Sequence, residues 1–232
     1  LHGRLDLPEL GDVYTEFSDT PVVSISMAQR EPLPQAHWVG NVSHGLSAHL
    51  YSFHPKPGEY LAFLGRISPE KQVDSAIRLA LKAEIPLKIS AKVDSVDAAY
   101  FETTIKPLLD HPLIEFIGEI GDSDKDAFLG NAMALLFPID WPEPFGLVMI
   151  EALACGTPVI ARRRGSVPEV LEHGKTGVIF ETETEAVNAL RNIKHLDRRL
   201  CREAFEQRFT ARSMAGHYLD IYHALIDRDD PQ

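Results

Sequence analysis

Cysteine is scarce: the 232 residues hold only Cys155 and Cys201. Two thiols cannot build a disulfide scaffold or a four-ligand zinc site, and they point to a reducing, cytoplasmic compartment. HExxH and paired Cys/His spacings are also absent, so no metal site is expected despite ten histidines. Long apolar runs are missing too. A membrane span needs roughly 18 such residues, whereas the longest here are the short runs Met133–Phe137 and Leu147–Ile150. The opening Leu1-His2-Gly3-Arg4 lacks the basic-then-apolar pattern of a secretory signal. It does not begin with Met and reads as mid-protein. Basic residues are few, 23 Lys and Arg against 34 Asp and Glu, a formal net charge of −11. That balance excludes nucleic acid as the main partner. There is no internal repeat and no low-complexity stretch.

What remains is an ordinary globular composition, 44% hydrophobic and 25% charged, in a chain long enough for a sizeable core. Short apolar runs alternate with helical patterns. Strands are expected at Tyr60–Leu64, Leu87–Ala91, Ile114–Ile117, Ala134–Phe137, Pro158–Ala161 and Val178–Phe180. Helices are expected between them. One starts at Ser68 as N-cap with Pro69 first, and carries an apolar face of Val73, Ile77, Ala80 and Leu81. Others run over about 96–109, from a cap at Asp122 or Ser123, and over Phe145–Ala154. Such alternation means βαβ units and a doubly wound parallel sheet over about 58–195. Ligands of these sheets sit beyond the carboxyl ends of the strands. Ahead of this unit, Pro21–Ser26 and Trp38–Val42 read as two strands of another domain, and His44–Leu46 and Pro55–Gly58 as linker. Met214, Tyr218, Ile221, Tyr222 and Leu225 form a helical stripe that must pack on something. Asp227–Gln232 reads as a frayed end. The expected divisions are 1–45, 46–212 and 213–232.

Three segments carry chemistry. In Trp141-Pro-Glu143-Pro-Phe145-Gly146-Leu147-Val148-Met-Ile-Glu151, Gly146 lets backbone approach a ligand at a helix start. The free amides of Gly146, Leu147 and Val148 and the helix dipole favour an anion there. Glu143 and Glu151 flank that point and suit hydroxyl groups. The combination fits a ligand with phosphate in the middle and polyols at both ends. In Gly65-Arg66-Ile-Ser-Pro-Glu70-Lys71, Lys71 falls in the first turn of the expected helix. A cation opposes the dipole there unless an anion binds, and Arg66 can grip a diphosphate through two donors. Gly118 and Glu119 end a strand where a flat base can lie against backbone.

Together these segments resemble the family 4 (group 1) retaining glycosyltransferases of GT-B fold. Glu143 and Glu151 resemble that family's Glu-x7-Glu signature, and Gly65-Arg66…Glu70-Lys71 its Gly-Arg…Glu-Lys segment. Gly165-Ser-Val-Pro-Glu169 resembles its Gly-Gly-x-Pro-Glu motif, and Gly174-Lys-Thr-Gly177 its Gly-x-x-Gly ending. His44-Gly45-Leu46 resembles its hinge. The resemblance covers about 40–222. It implies a Rossmann-like, doubly wound donor-binding domain with a remnant of a second Rossmann-like, acceptor-binding domain, most of which would precede Leu1, and a last helix that crosses back. The implied reaction moves a hexosyl group, with UDP-glucose the donor the family suggests, to an unidentified glycan, lipid or small-molecule acceptor. No cofactor or metal is implied. Arg66 and Lys71 would hold the departing diphosphate and Glu143 the donor sugar, all three at the catalytic centre. Glu151 would bind the ribose, the backbone of Phe145, Gly146, Leu147 and Val148 the sugar and phosphate, and Gly65, Gly118 and Glu119 would lie along the nucleotide. His2 resembles a cleft histidine that touches the sugar. A peripheral membrane contact would come through the absent domain.

Two other outcomes stay open: a sugar-nucleotide epimerase on the same fold, and a chain that binds nucleotide-sugar without turning it over. Gly174-Lys175-Thr176 mimics the end of a P-loop, but Glu169 stands where the motif requires glycine. Asp122-Ser-Asp124 has the look of a metal-binding Asp-x-Asp, yet reads better as a helix cap. Arg162-Arg163-Arg164 is either a solvated turn or a lining of the cleft.

Overall fold

The computed structural model describes residues 1–229. Its centre is a six-stranded parallel sheet built from β3 (Tyr60–Arg66), β4 (Leu87–Lys92), β5 (Ile114–Gly118), β6 (Ala132–Phe137), β7 (Val159–Arg162) and β8 (Gly177–Phe180). The strand order is β5-β4-β3-β6-β7-β8. The chain winds outward from β3 to β5, returns to lay β6 against the other side of β3, and winds outward again. The strand order therefore reverses between β3 and β6, where such sheets open a crevice at their carboxyl ends. β6 is buried along its whole length, which explains its continuous Ala-Met-Ala-Leu-Leu-Phe sequence.

Two apolar layers cover the sheet. On one face lie α4 (Asp122–Gly130), α5 (Leu147–Ala154) and α8 (Arg198–Arg208), packed through Leu129, Met149, Leu153 and Phe205. On the other lie α2 (Val73–Ala83) and α7 (Glu183–Asn192), packed through Ile77, Ala80 and Leu190. A capping box of Thr182 and Glu185 closes the start of α7. A short helix, α6 (Val167–Val170), precedes β8.

The first residues form a separate small unit. α1 (Pro8–Glu16) precedes a two-stranded parallel sheet of β1 (Val22–Ser24) and β2 (Trp38–Asn41), with Leu5, Val22, Leu33 and Ala36 at its core. The last helix, α9 (Ala211–Asp229), returns to it: Ile221 lies where a side chain on Gly40 of β2 would stand. Met214, Tyr218, Ile221 and Leu225 are half-buried along one face, whereas Tyr222 is exposed and falls outside the predicted stripe. The helix continues through Asp229, into the stretch expected to fray; residues 230–232 of that stretch lie outside the described residues.

Several predicted boundaries move. The helix expected from Ser68 is interrupted. Pro69–Lys71 form a separate 3-10 turn, Gln72 takes a left-handed conformation at φ 56°, and α2 starts only at Val73. Ser68 makes no capping bond. The helix expected over 96–109 breaks into a 3-10 turn, the short α3 (Ala98–Tyr100), a π-turn at Phe101–Ile105 and another 3-10 turn at Lys106–Leu108. Pro107 lacks the amide that a regular helix would use, and Thr103 back-bonds its hydroxyl to the Ala99 carbonyl at 2.7 Å. Asp122 is not a cap: Gly121 occupies that position in extended conformation, and the Asp122 carboxylate turns to Lys125 at 2.8 Å. Phe145 lies outside α5, whose N-cap is Gly146.

Candidate functional site

The turn after β3 and the loop after β6 meet at the point where the strand order reverses. The Asp140 amide donates to the Glu70 carbonyl at 2.9 Å and joins them. This brings Lys71 onto Glu143, whose carboxylate takes the ammonium of Lys71 and the indole N–H of Trp141, the latter at 3.1 Å. The ammonium also lies over the Trp141 ring, 5.2 Å from its centre, and 6.0 Å from that of Phe137. Lys71 therefore does not stand in a helix's first turn, as its spacing suggests. Its charge is met by a side chain from the opposite loop.

The loop bearing Glu143 is held rigidly. Three consecutive carbonyls are tied: Glu143 accepts from the Ser166 amide at 3.0 Å, Pro144 from the Ser26 hydroxyl at 2.6 Å, and Phe145 from the Ser166 hydroxyl at 2.9 Å. Gly165 approaches so closely that a Cβ there would strike the Glu143 backbone, and its φ of 49° suits glycine. Arg162 and Arg164 pair with Asp140 at 3.5 and 3.1 Å, and Arg163 with Glu181 at 3.1 Å. The arginine run thus braces the loop rather than forming a free basic surface.

Gly146 takes φ 78° and aims the start of α5 outward. Among the described residues the amides of Gly146, Leu147 and Val148 have no acceptor, while Met149 bonds back to Gly146 at 3.0 Å. The exposed start of α5 is therefore free to bind an anion. A cleft of about 580 Å³ opens beside it, lined by Gly65, Arg66, Ser90, Lys92, Glu119, Lys125, Leu147, Val148 and Glu151 among others. Arg66 is half-exposed and spans Glu70 at 3.4 Å and Asp94 at 3.6 Å. Glu151 is mostly buried, and desolvation raises its pKa above the usual carboxylate range, opposed by Lys125 and by the Tyr51 hydroxyl. Gly118, at φ 74°, sits one residue behind the lining, its carbonyl taken by Ser90 at 3.0 Å.

A second cavity of about 240 Å³ shares Leu147 with the first and is lined by His2, Arg4, His44, Trp141, Glu143, Phe145 and Gly146. His2 stacks on His44 with centroids 5.1 Å apart, and His44 meets the edge of Phe145 at 5.0 Å. Burial lowers the His44 pKa. The Phe145 side chain is core. Most of the sequence-predicted residues thus fall on two adjoining hollows around one helix start: Glu143 and His2 in the smaller, Arg66, Glu119 and Glu151 in the larger; Lys71 lines neither and meets the smaller only through Glu143. Sequence reasoning passed over Trp141, Lys125, Tyr51 and Ser166. Trp141 stood inside the strongest motif; Tyr51 lies in a linker with no local signal.

A doubly wound sheet with an anion-ready helix start at its switch point is the nucleotide-binding class of α/β fold. The chain belongs to the glycosyl transferases group 1 family, whose profile matches residues 49–208. It is 32% identical over 157 residues to N-acetyl-alpha-D-glucosaminyl L-malate synthase of Bacillus anthracis, covering 64% of this chain and 41% of that protein. It is 30% identical over 139 residues to D-inositol 3-phosphate glycosyltransferase of Mycolicibacterium smegmatis, covering 55% and 30%. Among solved structures it resembles HepE of Anabaena in complex with UDP and glucose, with TM-score 0.78 and 19% identity over 92% of this chain and 66% of that one. AviGT4, a glycosyltransferase of avilamycin A biosynthesis, gives TM-score 0.75 and 23% identity over 88% and 64%. The fold is GT-B: the six-stranded sheet is its carboxy-terminal Rossmann-like domain, and the two-stranded sheet belongs to a second, smaller unit. The chain spans less than half the length of these two curated relatives.

Proposed function

We propose that the chain carries the donor site of a retaining glycosyltransferase that moves a hexosyl group from a nucleotide-diphosphate sugar to an acceptor. The observation that carries this reading is that the unpartnered amides at the start of α5 open on the cleft that Arg66 lines, while Lys71 is held on Glu143, which lines the adjoining hollow. A diphosphate would lie at this helix start, where the two hollows share Leu147. Its nucleoside would lie in the larger, with Glu151 accepting from the ribose hydroxyls and Glu119 near the base. Its sugar would lie in the smaller, beside Glu143 and His2. Each cation rests on a carboxylate, Arg66 on Glu70 and Asp94, Lys71 on Glu143. The diphosphate would draw both toward itself.

Bond cleavage at the anomeric carbon builds charge on the departing diphosphate. Arg66, Lys71 and the α5 amides would stabilise that charge more in the transition state than in the ground state, which is what accelerates the step. UDP is the donor nucleotide we favour, because HepE of similar fold binds UDP and glucose. We assign residues 1–45 to the remnant of the acceptor-binding domain and hinge, 46–212 to the donor domain and 213–232 to the crossover helix and tail. Two free buried cysteines support a cytoplasmic setting, and among the described residues no helix is long and apolar enough to cross a membrane.

A melting panel of nucleoside diphosphates and their sugars tests binding. A ligand at a hundred times its dissociation constant adds about 2.7 kcal/mol of stability. Product analysis with donor alone and then with acceptors tests the reaction. Transfer with retained anomeric configuration is expected; an epimerised donor released without acceptor would contradict it.

A further inference from the structure

Lys125 has no part in the proposal above, yet it occupies the same cleft. It projects from α4, with its ammonium 2.8 Å from Asp122 and 3.9 Å from Glu151. The two carboxylates differ in their surroundings. The Asp122 side chain is 90% exposed and keeps its water, whereas that of Glu151 is 14% exposed. The other groups facing Glu151 are the Tyr51 hydroxyl, from the segment before β3, Asp122 itself, and Cys155 one turn further along α5. None of these is a cation. Arg66 lines the cleft too, but it is drawn to Glu70 and Asp94. Among the described residues, Lys125 is the one cation within ion-pair distance of Glu151.

The separation matters. At 3.9 Å the ammonium supports the carboxylate charge without occupying its oxygens by a close hydrogen bond. Glu151 lines the cleft with its carboxylate shared with the Tyr51 hydroxyl and not with a close cation.

We infer that Lys125 is a positioning residue that keeps Glu151 ionised and turned into the cleft, so that it can accept from the vicinal hydroxyls of a ribose across the neutral pH range. This rests on reading the cleft as the nucleotide site. Burial works against the ionised form, as does the Asp122 charge, while Lys125 works for it. Removing the ammonium therefore moves the Glu151 pKa further up. A protonated carboxyl has lost acceptor capacity, so binding that depends on the hydroxyls weakens as pH falls through that raised pKa.

The test compares UDP with 2′,3′-dideoxy-UDP by calorimetry at about pH 8 and about pH 6. The wild-type chain should prefer UDP at both. Lys125→Met should keep the preference at the higher pH and lose about tenfold of it at the lower, inside the limit of about a hundredfold for one proton over two pH units. Lys125→Arg should restore the wild-type profile, and Glu151→Gln should show little preference at either pH. A Lys125→Met profile parallel to wild type, with UDP still bound, overturns the inference alone. Failure of the wild type to bind UDP at either pH overturns the nucleotide reading and this inference with it.

Discussion

Glu143 and Glu151 flank the same helix start, are similarly buried, and each faces a lysine from a different element, yet the two pairs are built differently. At Glu143 the lysine is in direct contact, backed by two aromatic rings and an indole donor. At Glu151 the lysine stands off and spends its short bond on a solvent-exposed aspartate. Contact pairing fixes a carboxylate in place and satisfies it; stand-off pairing supports its charge and leaves it open to a ligand. The first arrangement suits a group that must hold a reacting centre, the second a group that must take hydroxyls from a bound molecule.

The largest effect should come from breaking the contact pair. In the whole enzyme, Lys71→Ala should lower turnover by about 10²–10³-fold, the cost of losing one preorganised charge at a departing anion. Arg66→Ala should act similarly, and near-wild-type rates in both variants would remove these residues from the chemistry. Glu143→Ala should spare nucleotide affinity and reduce transfer; the opposite split would exchange the roles of the two glutamates. A smaller effect is expected from the brace. Gly165→Ala drives a methyl group into the Glu143 backbone and should cost about 1–3 kcal/mol in melting experiments, with kcat falling more than affinity.

The junction between the two units comes next. Glu169 accepts the Met27 and Ala28 amides at 2.7 and 2.9 Å. Glu169→Ala should cost about 1–2 kcal/mol and increase hydrogen exchange in the turn at Ala28–Arg30. The smallest change is a gain. Gln72 sits in the left-handed region, with its side chain returning to the Pro69 carbonyl at 2.8 Å. Gln72→Gly should stabilise by about 0.5–1 kcal/mol, read as a rise in Tm.

The sheet was legible because each strand is a short apolar run between turn signals. Tyr60–Leu64 and Ala134–Phe137 announce themselves, and only their ends shift by a residue or two. The Glu143…Glu151 segment was legible because glycine and proline fix its turn locally. The setting of Lys71 was not. Its neighbour Gln72 takes a conformation that glycine normally signals, so nothing in the sequence separates the 3-10 turn from α2. Its true partner, Glu143, lies far along the chain. The break at Phe101–Ile105 has a visible cause in Pro107, which the apolar spacing of the segment masked. Tyr51 and Ser166 escaped notice because their contacts depend on how the loops pack.

The diphosphate cradle is tested most directly by crystallising the chain with UDP. The account predicts the two phosphates within hydrogen-bond reach of the Gly146, Leu147 and Val148 amides, with Arg66 turned away from Asp94 toward them. UDP bound elsewhere, or crystals that leave the start of α5 bare at saturating UDP, would contradict it.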